Sequence, residues 1–227
     1  MLSHRTIRHF IYGGGIFLLA VGITLNTKAG LGVSPVISIP YGLAQIGRLN
    51  LGFVTFLVYT LFVGVQLLMK KTVRRWDIWL QLPFSLVFSI CLNLCSAGYD
   101  RMLGQVGGEN AGLLQQLLVL GAGILLTAAG VAMMVDMKGV PNPADGLAKA
   151  LGEALHRDMG LGKNLLDLSC VAVTCLAGLV LAGEVVGIGL GTLVAVIGVG
   201  RCIAGFQLLF RDRLCRAAGF LEKTGKG

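Results

Sequence analysis

Ser34-Pro35 and Asn142-Pro143-Ala144-Asp145 are the groups in this chain best suited to chemistry, because each has the makings of a helix start. A Ser or Asn just before the first helical position accepts a hydrogen bond from a backbone N–H, and a Pro in that position removes a donor the helix would not use. Asp145 then falls in the first turn, where its charge suits the positive end of the helix dipole. The surrounding segments echo one another. KAGLGVSPVISIPYGLA at 28–44 and DMKGVPNPADGLAKAL at 136–151 each pass a Lys, a Gly and a Val, reach Ser-Pro or Asn-Pro, and continue to Gly-Leu-Ala. First-turn amides have no partner inside their own helix, so two such starts brought together offer donors and partial positive charge to a bound group. Ser34, Pro35, Asn142, Pro143 and Asp145 are therefore the expected substrate-binding residues.

Three further charged residues fall within apolar runs. Lys163 and Asp167 are four apart, the spacing of a local ion pair, and an intramembrane carboxylate is a functional candidate by default. Lys163 reaching back to the membrane surface and holding Asp167 there is the other reading. Arg201 stands roughly ten residues, or about 15 Å, from the helix end near Arg211, too deep for its side chain to reach water. It is expected to face the bundle interior and meet Asp167, Asp145, Asp136 or an anionic substrate. Lys163 and Asp167 are the ion-coupling candidates and Arg201 a sixth binding candidate.

The elements that must position these residues follow from composition. The 227 residues are 55% hydrophobic and 13% charged, with a mean hydropathy of +0.81, too apolar for a soluble core to hide. A hydrocarbon layer about 30 Å thick takes roughly 20 helical residues to cross. Six stretches qualify, near 9–26, 50–69, 77–97, 112–135, 164–183 and 186–210. The first follows Arg5 and Arg8 like a secretory signal, but it runs into Asn26-Thr27-Lys28 without a small-residue cleavage site, so it is read as retained. An all-α, polytopic membrane protein is expected.

Charge sets its orientation. With a cytoplasmic N-terminus, fifteen Lys and Arg fall inside: Arg5, Arg8, Lys70, Lys71, Arg74, Arg75, Lys138, Lys149, Arg157, Lys163, Arg211, Arg213, Arg216, Lys223 and Lys226. Only Lys28, Arg48 and Arg101 fall outside, so both termini are expected in the cytoplasm. The net charge of +8 then serves anionic lipid, and no nucleic-acid partner is expected. Trp76 and Trp79, beside Arg74, Arg75 and Asp77, read as an interfacial anchor.

Three spans precede residue 98 and three follow residue 111, and each triplet has a Pro-containing connector after its first span. An odd number of spans per unit inverts the second copy, the arrangement of many secondary transporters. The expected plan is one membrane domain over 1–227, with repeat one at about 9–97, repeat two at about 112–210 and a tail at 211–227. In the first connector Ser34 is the expected cap, and Pro40 should kink or break the helix. In the second, Leu147, Leu151 and Leu155 make an amphipathic helix that Gly160 should end. The apolar first connector favours partial insertion; the second suits insertion or the membrane surface.

Together, Gly30-Leu31-Gly32-Val33-Ser34-Pro35, its echo Asn142-Pro143-Ala144-Asp145-Gly146-Leu147, and Gly187-Ile188-Gly189-Leu190-Gly191-Thr192 opening a final helix resemble the YczE/YyaS/YitT-like bacterial membrane proteins over nearly the whole chain. The resemblance implies a multi-pass protein of the bacterial cytoplasmic membrane and implies no activity. The resemblance implies an acidic residue shortly after the first Ser-Pro; here Val36-Ile37 takes that place, and the pattern is kept at Asp145.

Other chemistries find little footing. The six cysteines include no CxxC pair and no His at ligand spacing, so neither a disulfide framework nor a metal is expected. Gly187-x-Gly189-x-Gly191 lacks GxGxxG spacing and any GxxxxGK[ST], and reads as close packing or a flexible helix start. HExxH and GxSxG are absent, and His4, His9 and His156 lie at membrane edges; neither catalysis nor a cofactor is expected. A small secondary transporter or channel for an unidentified, preferentially anionic solute is the first reading. A substrate-binding subunit of a larger importer and a non-transporting scaffold are the others. A homodimer is compatible with so small a chain.

Overall fold

The computed structural model of the protein describes residues 3–70, 76–103, 106, 108, 111–157 and 159–220. Lys71, Arg74, Arg75, Lys223 and Lys226 lie outside the described residues, as does the tail beyond 220. The described residues form helices and no strand: α1 (His4–Lys28), α2 (Pro35–Gly47), α3 (Leu51–Lys70), α4 (Trp76–Trp79), α5 (Gln81–Leu103), α6 (Leu113–Asp136), α7 (Pro143–Ala154), α8 (Met159–Leu181) and α9 (Leu190–Ala217). Six are long and apolar enough to cross a membrane, α4 and α5 counting as one span over Trp76–Leu103. The protein is a multi-pass, all-α membrane protein.

Small residues explain the centre. α1 lies along α6, and a Cβ added to Gly130 would come within 2.6 Å of the Gly15 carbonyl oxygen, while one on Gly22 would come within 2.8 Å of that of Gly123. Glycine lets the two backbones meet where lipid supplies no hydrophobic drive for helices to associate. α5 packs on α1 and α9 on α6; α2 and α7 are each held by α3 and α8. Tyr59 of α3 stacks on Phe62 of the same helix and on Phe88 of α5, and Phe88 on Phe84, with centroids 5.8–6.1 Å apart, filling the core between these elements. His4 Nδ1 donates to the Ala217 carbonyl (3.2 Å), so the described termini share one end of the bundle.

Several local expectations change. α9 begins at Leu190 because the preceding loop is tied to the one before α2: Val33 N–H donates to Gly187 O (2.9 Å) and Gly191 N–H to Leu31 O (2.6 Å). The glycine run is a packing device there, since a Cβ on Gly189 would stand 2.5 Å from the Leu31 oxygen. Ser34 makes no side-chain cap; its carbonyl instead accepts from Ile37 and Ser38, each at 3.0 Å. Pro40 does not break α2, which continues to Gly47 with Pro40 fully buried, because packing from α3 and α8 offsets the lost hydrogen bond. α7 ends at Ala154 rather than at Gly160: His156 takes a left-handed φ of 53°, and Gly160 lies inside α8.

Candidate functional site

α7 starts as its sequence dictates. Asn142 Oδ1 accepts from Ala144 N–H (3.0 Å), Pro143 fills the first position, and the Asn142 carbonyl accepts from Gly146 N–H (2.9 Å). The same side chain reaches sideways, Nδ2 donating to the hydroxyl of buried Tyr59 at 3.3 Å. Beneath it lies a reciprocal amide pair: Gln66 Nε2 donates to Gln81 Oε1 (2.9 Å), Gln81 Nε2 to Gln66 Oε1 (3.1 Å), and Gln66 Nε2 also to the Pro143 carbonyl (3.0 Å). Gly146 fits over this pair only because it lacks a Cβ, which would stand 2.6 Å from Gln66 Oε1.

Asp145 projects into a cavity of about 760 Å³ bounded by α6, α7, α8 and α9, with Leu19, Val131, Met134 and Ile203 among its apolar walls. Lys163 lines the same cavity and donates to Asp167 Oδ1 at 2.8 Å, while Lys138 and Lys149 stand exposed in its lining. Enclosure raises the Asp145 carboxyl above the usual carboxylate range; the Lys163 cation opposes this and the Asp167 charge adds to it.

α2 is fixed to the other half of α8. The Ser38 and Thr174 hydroxyls lie 2.8 Å apart, with the Pro35 and Cys170 carbonyls in reach at 2.6 and 2.8 Å. Cys170 stands halfway along α8. Asp167 on one side of it and Thr174 on the other are about 10 Å apart at helical rise, so the two proline-started helices begin on either side of the span's middle. A second cavity of about 840 Å³ opens at the end away from the termini, lined by Tyr41, Gln45, Arg48 and Glu184 and by the two tied loops.

A family model described as a family of unknown function, DUF6198, matches residues 6–208. The chain belongs to this family. The uncharacterized protein YyaS of Bacillus subtilis (strain 168) is similar to it, at 27% identity over 227 residues that cover 97% of this chain and 100% of the relative. No solved structure matches.

Within this DUF6198 protein, Asn142, Asp145 and Lys163 line one cavity; Pro143 opens the helix that carries Asp145 without lining it, and Asp167 joins through the expected ion pair with Lys163. Ser34 and Pro35 lie across Cys170 from them, at the start of α2. Arg201 does not face the interior. It is exposed on α9, because Gly200 and Ile203 take the cavity side and Val199 and Cys202 the α6 side. Asp136 meets Gln207 (2.8 Å) and, more distantly, Arg211 (3.9 Å) rather than Arg201. Sequence reasoning missed Tyr59, Gln66, Gln81, Ser38 and Thr174. Gln66 and Gln81, polar residues in or beside apolar spans, were the signal available.

Proposed function

We propose that this protein is a small secondary transporter of the bacterial cytoplasmic membrane, with both termini cytoplasmic, working around the paired starts of α2 and α7 as re-entrant helices. The observation carrying this reading is the pair of cavities at opposite ends of the bundle, each beside one proline-started helix, with the first turns flanking the middle of α8. Alternating access needs a site near mid-depth reachable in turn from both ends.

The packing also suits an inverted repeat. Exchanging α1 with α6, α2 with α7, α3 with α8 and α5 with α9 carries α2–α3 onto α7–α8, α2–α8 onto α7–α3 and α1–α5 onto α6–α9; α1–α6 maps onto itself. α3–α5 has no such image, since α8 and α9 do not form a packed pair. In this reading Asp145 binds a positively charged or hydrogen-bond-donating group of the solute, the Lys163–Asp167 pair responds to its charge, and Lys149 attends any anionic group at the mouth.

Purified protein screened by melting temperature against small cations, zwitterions and anions identifies solutes that bind the native state, since such ligands stabilise it. A stabilising solute, radiolabelled, should enter proteoliposomes faster than empty liposomes, and Asp145→Asn should slow that entry at least tenfold. Binding without movement would overturn transport in favour of an importer subunit. Absence of binding across the panel would favour a scaffold.

A further inference from the structure

α9 is the least enclosed of the six spans. Its residues sort by the helical turn: Val199 and Cys202 pack toward α6, Gly200 and Ile203 face the α7 cavity, and Arg201 points away from both. Arg201 is exposed on a stripe with Val194, Ile197 (58% exposed) and Leu208 (88% exposed). It stands eleven residues from Leu190 and ten from Arg211, where the charged end of α9 begins, about 16 and 15 Å along the axis, beyond the reach of its own side chain to either surface. No described residue gives it a hydrogen bond or an ion pair. A cation at that depth is costly against hydrocarbon, and intramembrane charges ordinarily face protein or water and pair with an opposite charge.

We propose that the outer face of α9 docks a transmembrane helix of a different protein that carries a carboxylate at mid-depth opposite Arg201. Charge decides the occupant. A second copy related by an axis along the membrane normal would set Arg201 against Arg201. Nor does the chain offer a spare carboxylate at that depth among the described residues: Asp167 is taken by Lys163, Asp145 is turned into the cavity, and Asp77, Asp100, Asp136, Glu153, Glu184 and Asp212 lie toward the ends of the spans or of α7. Lipid headgroups sit about half a hydrocarbon thickness, roughly 15 Å, away. Val194, Ile197 and Leu208 supply the apolar contact around the charge.

The test places fluorescently labelled protein in phosphatidylcholine vesicles with labelled twenty-residue Leu/Ala helices bearing one central Glu, Gln or Lys, read by energy transfer. The Glu helix should associate at least tenfold more tightly than the Gln helix, and the Lys helix should not associate. Arg201→Leu should bring Glu down to Gln. Ile197→Trp, which keeps the charge but crowds the face, should weaken the Glu helix at an unchanged melting temperature, so the outcome does not rest on Arg201→Leu folding. Equal association of Glu and Gln helices, a Glu preference surviving Arg201→Leu, or cross-linking of two Ile197→Cys copies through α9 would overturn the proposal. None of these outcomes depends on transport.

Discussion

Asn142→Ala should be disproportionately damaging for so small a change. Two roles end together. The cap on Ala144 N–H is lost at about 1 kcal/mol, and the Tyr59 hydroxyl, inside a core where Tyr59 is 1% exposed, loses the side-chain amide that donates to it. A buried polar group left unsatisfied costs about 1–3 kcal/mol, so the single variant should lose about 2–4 kcal/mol. Tyr59→Phe leaves the Asn142 amide beside a wettable cavity and should cost about 1 kcal/mol. In the double variant there is no stranded hydroxyl, so its cost should fall about 1 kcal/mol short of the sum, the coupling of residues in contact. Asn142→Ser, which keeps an acceptor for Ala144 but does not reach Tyr59, should fall between wild type and Asn142→Ala. Unfolding free energies from denaturant titration in mixed micelles, for wild type and the four variants, measure each term. Costs that add to within about 0.3 kcal/mol would refute the contact by which Asn142 ties α7 to α3.

Gly162→Val should lower the melting temperature sharply in detergent, because its side chain would strike the Ala148 carbonyl and stand within 2.7 Å of Gly152 N, both backbone of α7; overpacking of this kind costs about 1–3 kcal/mol. Gly13→Val, with nothing within 4 Å of its added Cβ, is the control and should melt as wild type. Gln66→Leu should destabilise more than Gln81→Leu in the same titration, since the first strands both the Gln81 amide and the Pro143 carbonyl while the second leaves Gln66 its bond to Pro143; equal costs would remove Gln66 from the support of α7.

The spans and the α7 start were readable because each rests on local chemistry. Twenty apolar residues need lipid, and Asn-Pro-Ala-Asp opens a helix in almost any setting. What could not be read depends on neighbours distant in sequence. Pro40 looks like a helix breaker until α3 and α8 are seen to hold α2 on both sides. Ser34 looks like a cap until its carbonyl takes the amides of Ile37 and Ser38. Arg201 was expected inside because a charge in an apolar helix ordinarily faces protein; that rule says a partner exists, not that the partner belongs to the same chain. Gln66 and Gln81 sit fifteen positions apart in sequence, and only the antiparallel packing of α3 and α5 makes one network of them.

The first turn of α7 holds few free donors. Helix starts suggest anion binding because first-turn amides are unpaired. Here Pro143 has no N–H, that of Ala144 is taken by Asn142 Oδ1 and that of Gly146 by the Asn142 carbonyl, which leaves only the amide of Asp145, next to its own carboxylate. An anion arriving at this helix start would meet one donor and one negative charge. The carboxylate is thus the group at α7 with hydrogen-bonding capacity to spare. A partner bringing positive charge or a donated hydrogen bond would meet an acceptor there with no competing donor from the first turn beyond the Asp145 amide itself.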